Sequence, residues 1–134
     1  LVGSEMCIRD RSKVREYVRN TGYKIVDEDM ILEDGKYYPM FRCVPCADNS
    51  AWDNMDETTV TVCDLYGPVL IKNGNPVLRK FLVREHHKLA AIMQQLRTQE
   101  MSDSIMDRIE QINEMMAYNE AAYSTMGAIR NAGI

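Results

Sequence analysis

Apolar residues recur along this chain with helical and strand periods, and each period predicts an element. In Ser12 to Asn20, "SKVREYVRN", Val14, Tyr17 and Val18 share one helical face while Lys13, Arg15 and Glu16 lie outside it, and Gly22 supplies a C-terminal stop. This stretch reads as the tail of a helix. The segment "YKIVDEDMILEDGKYYPMFRCV" then holds two β-rich runs on either side of Asp34-Gly35, a dipeptide that tolerates the positive φ of a two-residue hairpin turn. Pro39 has no N–H to give to a ladder, so its position is expected at an edge or a bulge.

The second half has a helical period. Asn75 is a good N-cap and Pro76 suits the first helical position. Leu78, Leu82, Glu85, Leu89, Ile92 and Leu96 follow at alternating spacings of four and three, and Ile105, Ile109, Ile112, Met116, Asn119, Tyr123 and Met126 repeat the pattern after a Ser102 cap. Two such stripes with a short joint predict an antiparallel helical hairpin packed in coiled-coil fashion. Glu85 and Asn119 interrupt the seams, and Glu85 reads as a polar residue that fixes register at some cost in stability. Between the halves, Pro45 to Asp56 reads as a loop holding the only Trp, Trp52, whereas "TTVTVCDLYG" has strand propensity but ends on Gly67-Pro68, which leaves its state open.

The first eleven residues, "LVGSEMCIRDR", have no usable period and no apolar run of signal-peptide type. They resemble the in-frame translation of a transposase-type sequencing adapter, which implies that residues 1–11 are a read-through scar and that the chain starts inside something larger. The remaining 123 residues suit one small domain or a piece of a larger one. No stretch approaches the ~20 apolar residues of a spanning helix. Three cysteines outside the scar, with no secretory signal, argue for reduced thiols in a cytoplasmic setting.

Formal net charge is −4, not the electrostatic footprint of a nucleic-acid binder working alone. By segment, six Lys/Arg face six Asp/Glu from Ser12 to Pro45 and seven face seven from Pro76 to Ile134. The deficit lies between Cys46 and Asn75, where Lys72 stands against Asp48, Asp53, Asp56, Glu57 and Asp64, an acidic stretch read as a solvated connector.

Candidate chemistry is sparse. Cys43 and Cys46 form a C-x-x-C, and Cys63, His86 and His87 would complete a zinc site on paper, but one pair rather than two makes small buried cysteines and surface histidines the preferred reading, with no metal expected. Glycines at 22, 35, 67, 74, 127 and 133 form no G-x-G-x-x-G or phosphate loop, and no nucleophile-base arrangement stands out. No catalytic or cofactor-binding residue is therefore assigned. Methionines 93, 115, 116 and 126 lie in or beside the helical stripes and read as core filling. Arg15, Arg19, Lys24 and Lys36 are the candidate phosphate contacts, each with an acidic neighbour.

These residues carry a family resemblance. "VREYVRNTGYKIVDEDMILEDGKYY" resembles the last crossover helix and terminal strand pair of the bacterial tRNA (adenine-22-N1)-methyltransferases, through Arg15, Gly22, Tyr23, Glu28, Glu33, Lys36 and Tyr38. "YGPVLIKNGNPVLRKFLVREHHKLAAIMQQL" is similar to the segment leading into that family's C-terminal coiled coil, through Gly67, Pro68, Asn75, Pro76 and Glu85. Thr21, Tyr17 and Pro39 depart from the usual residues, and the acidic loop is long. The resemblance implies an α/β fragment: residues 12–68 as the end of a Rossmann-like class I methyltransferase domain, residues 69–134 as the coiled-coil hairpin. It further implies an S-adenosylmethionine-dependent enzyme acting on tRNA, whose cofactor loop and catalytic residues precede this portion, so that the chain alone would be inactive. The competing class is a non-catalytic module that docks a protein partner through its Met-rich stripe.

Overall fold

Residues 8–46, 48 and 50–131 are described by the structure, a computed structural model. The first helix, α1 (Ile8–Asn20), begins four residues before Ser12. Residues 1–7 of the stretch read as adapter-derived lie outside the described residues, whereas Arg11 is buried and its Nη2 donates to the Tyr37 carbonyl at 3.4 Å. The face of α1 differs from the expected one. Val14 and Tyr17 are exposed, at 37% and 69%, while Arg11 and Arg15, one turn apart, face inward. Buried carboxylates described below select the arginine stripe over the apolar one.

After Gly22, at φ 85°, the chain enters β1 (Tyr23–Glu33) and returns as β2 (Lys36–Pro45). Asp34 and Gly35 both take positive φ, 51° and 76°, and Glu33 pairs with Lys36, so the hairpin turn is the one that Asp-Gly predicts. The ladder is antiparallel and regular through Pro39, which lies opposite Met30; the bulge falls at Val26 instead, between the Ile25 and Asp27 pairs. In a two-stranded ribbon each strand keeps a free edge, which is how Pro39 is tolerated without a bulge. The ribbon is buried on one face only. Glu28, Met30 and Tyr37 are covered, whereas Ile31 and Met40 on the opposite face are 44% and 41% exposed.

The acidic segment is not a solvated connector. It folds into α2 (Ser50–Asp53), α3 (Glu57–Tyr66) and α4 (Pro68–Lys72), and Val62, Cys63, Asp64, Tyr66, Leu70 and Ile71 are buried. The β-branched run becomes a helix because Asp56 caps it: its carboxylate accepts from the Thr59 N–H at 2.7 Å, which holds Asp56 below the usual carboxylate range. Packing against α1, with Val62 and Tyr66 in the common core, then overrides strand propensity.

Helix α5 (Pro76–Arg97) starts as expected, with Asn75 Oδ1 accepting from the N–H groups of Val77 and Leu78 at 2.9 and 3.1 Å. Helix α6 (Asp103–Asn131) follows Ser102, whose hydroxyl accepts from Ile105 N–H at 3.2 Å. The two run antiparallel: Leu89, Met93 and Leu96 pack with Ile112 near the joint, and Leu78 and Leu82 pack with Ala122 and Met126 at the far end, together with Met30, Tyr37, Tyr66 and Leu70. Each stripe departs from its strict repeat at one place. Met93 rather than Ile92 is buried in α5, and Ala122 rather than Tyr123 in α6, because a straight helix at 3.6 residues per turn drifts out of a 3.5 repeat.

Candidate functional site

The polar residues singled out by the sequence converge where α1, β1, α3 and α4 meet. Arg15 Nε donates to Glu28 Oε1 at 3.1 Å, and both side chains are almost fully buried. Arg15 Nη1 donates to the carbonyls of Asp64 and Leu65, at 3.0 and 3.1 Å. These are last-turn acceptors of α3 that have no partner within their own helix. Glu28 Oε2 in turn accepts from the N–H groups of Val69 and Leu70, at 2.8 and 3.2 Å, the first donors available after Pro68 opens α4. The cation therefore sits on the carbonyl end of one helix and the anion on the amide end of the next, with the ion pair bridging the kink between them.

Gly67 forms that kink, at φ 98°, and a Cβ there would lie 2.7 Å from Glu28 Oε2. Only glycine allows both the backbone and the carboxylate. Arg19 extends the cluster: its Nε and Nη2 grip Asp64 at 3.1 and 2.8 Å, which raises its pKa, and its guanidinium lies 5.2 Å from the Trp52 ring. Burial lowers the Arg15 pKa and outweighs the opposing pull of Glu28. Beneath them, burial pushes the Cys63 thiol up to about 11, so it is no thiolate at neutral pH.

A second buried cluster ties α3 to the helical pair. Glu85 Oε1 accepts from the Tyr66 hydroxyl at 2.5 Å and from Asn119 Nδ2 at 2.9 Å, and Asn119 also donates to the Leu82 carbonyl at 2.9 Å. The two residues that interrupt the apolar stripes are thus partners of each other. Burial raises the Glu85 pKa despite both hydrogen bonds, and burial with the neighbouring Glu85 carboxyl raises that of Tyr66.

Both clusters have their hydrogen-bonding capacity taken up internally, so they join elements rather than present reactive groups. Arg15, expected as a phosphate contact, is 2% exposed and committed to Glu28 and α3, and Arg19 is held by Asp64; Lys24 and Lys36 remain exposed. Gly22 accepts from Cys46 N–H at 2.7 Å, which closes the open end of the ribbon beside Tyr23. Glu33 and Lys36 flank the turn, exposed, with Tyr38 half-buried next along β2. Asp64, Tyr66 and Asn119 join these clusters without lying among the site candidates that the sequence marks. Asp64 did leave a signal, as the one charge inside the apolar run "VTVCDLY".

Among the described residues, no three His, Cys, Asp or Glu side chains cluster as a metal-ligand set. Cys46 Sγ donates to the Asp48 carbonyl at 3.4 Å, and His86 and His87 lie 6.1 Å apart, ring to ring, on α5. No described helix is long and apolar enough to cross a membrane. The described glycines differ in their surroundings: Gly67 is filled by Glu28, Gly35 and Gly74 have open space where a Cβ would be, and Gly22 meets only the Cys46 carbonyl.

Comparison with known proteins gives these elements a family. The family model for tRNA (adenine(22)-N(1))-methyltransferase, TrmK, matches residues 8–120. No curated protein matches the chain. Among solved structures, the Bacillus subtilis tRNA methyltransferase TrmK superposes with a TM-score of 0.69 at 22% identity, over 84% of this chain and 47% of that one. A Streptococcus agalactiae protein of the NADB-Rossmann superfamily gives 0.64 at 15%, over 84% and 43%. A Streptococcus pneumoniae chain solved in complex with S-adenosyl-L-methionine gives 0.50 at 22%, over 79% and 42%. The chain therefore spans about half the length of these relatives, and its α/β arrangement is theirs over that half. The matched span, residues 8–120, shows that the chain belongs to the TrmK family of tRNA (adenine(22)-N(1))-methyltransferases.

Proposed function

We propose that this chain is the carboxyl-terminal portion of an S-adenosylmethionine-dependent enzyme that methylates N1 of adenine 22 in tRNA. In this reading residues 12–68 complete the Rossmann-like domain, and residues 69–134 form its coiled-coil hairpin and contribute to tRNA binding. The observation that carries it is the family match over residues 8–120 in a chain about half as long as its solved relatives. Physical support comes from the surfaces left uncovered: Val14 and Tyr17 on α1, and Ile31 and Met40 on the open face of the ribbon, are apolar groups of the kind that a larger sheet and its helices would bury. The intact enzyme would work in the cytoplasm, with tRNA as its partner. Alone, the chain neither binds the cofactor nor turns over.

Two measurements test this. Titration of the isolated chain with S-adenosylmethionine is expected to give no heat, and a clear binding isotherm overturns the assignment of the cofactor site to the missing portion. A chimera in which residues 12–134 replace the matching part of the Bacillus subtilis relative is expected to methylate a tRNA transcript at adenine 22, read by mass spectrometry of nuclease digests. A folded but inactive chimera overturns the enzyme reading and favours the protein-docking module.

A further inference from the structure

The equal count of cations and carboxylates after Pro76 conceals a segregation that the helical pair makes spatial. Helix α5 carries Arg79, Lys80, Arg84, Lys88 and Arg97 against one carboxylate, Glu85, and that one is buried against Tyr66 and Asn119. Helix α6 carries five carboxylates against two arginines. The solvent-facing charge of α5 is therefore entirely positive, although the whole chain is acidic.

The first half of that helix borders a groove of about 680 Å³, whose cationic or titratable walls are Arg79, Lys80, Arg84 and His87, and whose opposite side is Tyr123 of α6. No carboxylate lines it; Glu120 borders the neighbouring depression on the other side of Tyr123. Tyr123, displaced from the seam by Ala122, is 45% exposed at this rim. Arg84 is already oriented: its Nη1 donates to the Gly35 carbonyl at 2.8 Å and its guanidinium lies 5.5 Å from the Tyr37 ring, which brings the hairpin tip with Lys36 to the end of the groove. A row of cations at helical spacing beside one exposed aromatic ring matches a nucleic-acid strand, with phosphates along the cations and a base on the ring. A protein partner would call for a cluster of apolar anchors at the centre, and here the apolar lining groups are Pro76, Val83 and Tyr123 beside four cationic or titratable side chains.

We propose that this groove is an RNA-binding surface, in which Arg79, Lys80, Arg84 and Lys36 hold backbone phosphates and Tyr123 stacks on an unpaired base. The proposal rests on the tRNA-methyltransferase reading and names the face of the chain that meets the RNA. It also replaces Arg15 and Arg19, whose charges are spent inside the fold, by Arg79, Lys80 and Arg84, beside which no acid lines the groove.

The test uses the full 134-residue chain and a fluorescent full-length tRNA transcript, with anisotropy followed over a salt series. Arg79→Glu/Lys80→Glu is expected to weaken binding by about tenfold or more and to flatten the salt dependence. Arg97→Glu/Arg108→Glu, with the same change in net charge at the other end of the helical pair, is expected to change it less than about twofold, because the phosphate contacts lie elsewhere. Tyr123→Ala should cost at least about fivefold while Tyr123→Phe retains binding, since stacking needs the ring and not the hydroxyl. Circular dichroism of each variant establishes that the helices persist. Equal losses in the two charge-reversal variants, or tight binding that neither perturbs, overturn the groove and leave the methyltransferase reading to the chimera experiment. Absence of RNA binding together with a self-association that Arg79→Glu/Lys80→Glu abolishes also overturns it, and makes the face a contact for the acidic α6 of a second copy.

Discussion

The ribbon and the helical pair bury their side chains by different means. Between α5 and α6 the seam is apolar along its length, with Leu78 and Leu82 fully buried, and its polar interruption is a hydrogen-bonded pair satisfied within the seam. The ribbon with α1 is held on one face only, and the strongest contacts there are ionic: Arg15 to Glu28, Arg19 to Asp64. The difference teaches where each region gets its stability. An apolar seam between two helices is complete in itself, whereas a two-stranded ribbon with an apolar outer face is marginal without further cover. The joint at Gly67 couples the two, since Glu28 from the ribbon caps the helix that leads into the pair.

Breaking the ionic joint should have the largest effect. Arg15→Ala leaves Glu28 buried with its cation gone and is expected to lower stability by about 3–5 kcal/mol, measured by urea denaturation. Leu82→Ala in the seam is expected to cost about 2–5 kcal/mol by opening a cavity under Tyr66 and Ala122. If instead Leu82→Ala proves harmless while Arg15→Ala unfolds the whole chain, the pair depends on the ribbon and is not self-sufficient.

Gly67→Ala should follow, at roughly 2 kcal/mol, because the added methyl meets the Glu28 carboxylate and the backbone stays at positive φ. The effect should shrink to the cost of the positive φ alone in a Glu28→Ala background, a coupling that a double-mutant cycle reads directly. A smaller effect concerns pH. Glu85 has a folded pKa above its ordinary 4.5, so its contribution to stability is fully present below about 4.5 and is lost as pH rises through the elevated folded value. The melting temperature of the helical pair is therefore expected to fall over that window, and Glu85→Gln should flatten the profile. A profile unchanged by Glu85→Gln would mean that Glu85 titrates alike in the folded and unfolded chain and contributes nothing to the pH dependence. Smallest of all, Tyr17→Ser and Ile31→Thr should each change stability by less than about 0.5 kcal/mol in this chain, since both groups are already exposed. Hydrogen exchange should show the amides of α5 and α6 more protected than those of β1 and β2.

Elements whose cause is local were legible beforehand. Asp34-Gly35 can take the two positive φ values that a tight hairpin needs, and Asn75-Pro76 can cap and open a helix without help from distant residues. The two apolar stripes predicted the α5 and α6 pairing because adjacent helices with complementary stripes have one economical way to bury them. Even so, the stripes were read one residue off at Ile92 and Tyr123, where the drift of a straight helix is settled by the neighbours.

What the tertiary structure decided are the matters that depend on residues far apart in the chain. Glu28 and Asp64 lie 13 and 49 residues from Arg15, and their burial turns the arginine face of α1 inward against the apolar face that its own period favours. The run around Val60 is a helix because Asp56 caps it and α1 and α6 pack on it, although its residues prefer strands. The charge of the last sixty residues sums to zero, with cations gathered on α5 and carboxylates on α6 already in the sequence, and what the fold decides is that Glu85 turns inside and leaves the solvent-facing charge of α5 positive. Local backbone preferences act within a few residues and so can be read from the chain; burial and charge pairing act through space, and which groups meet is known only once the chain is folded.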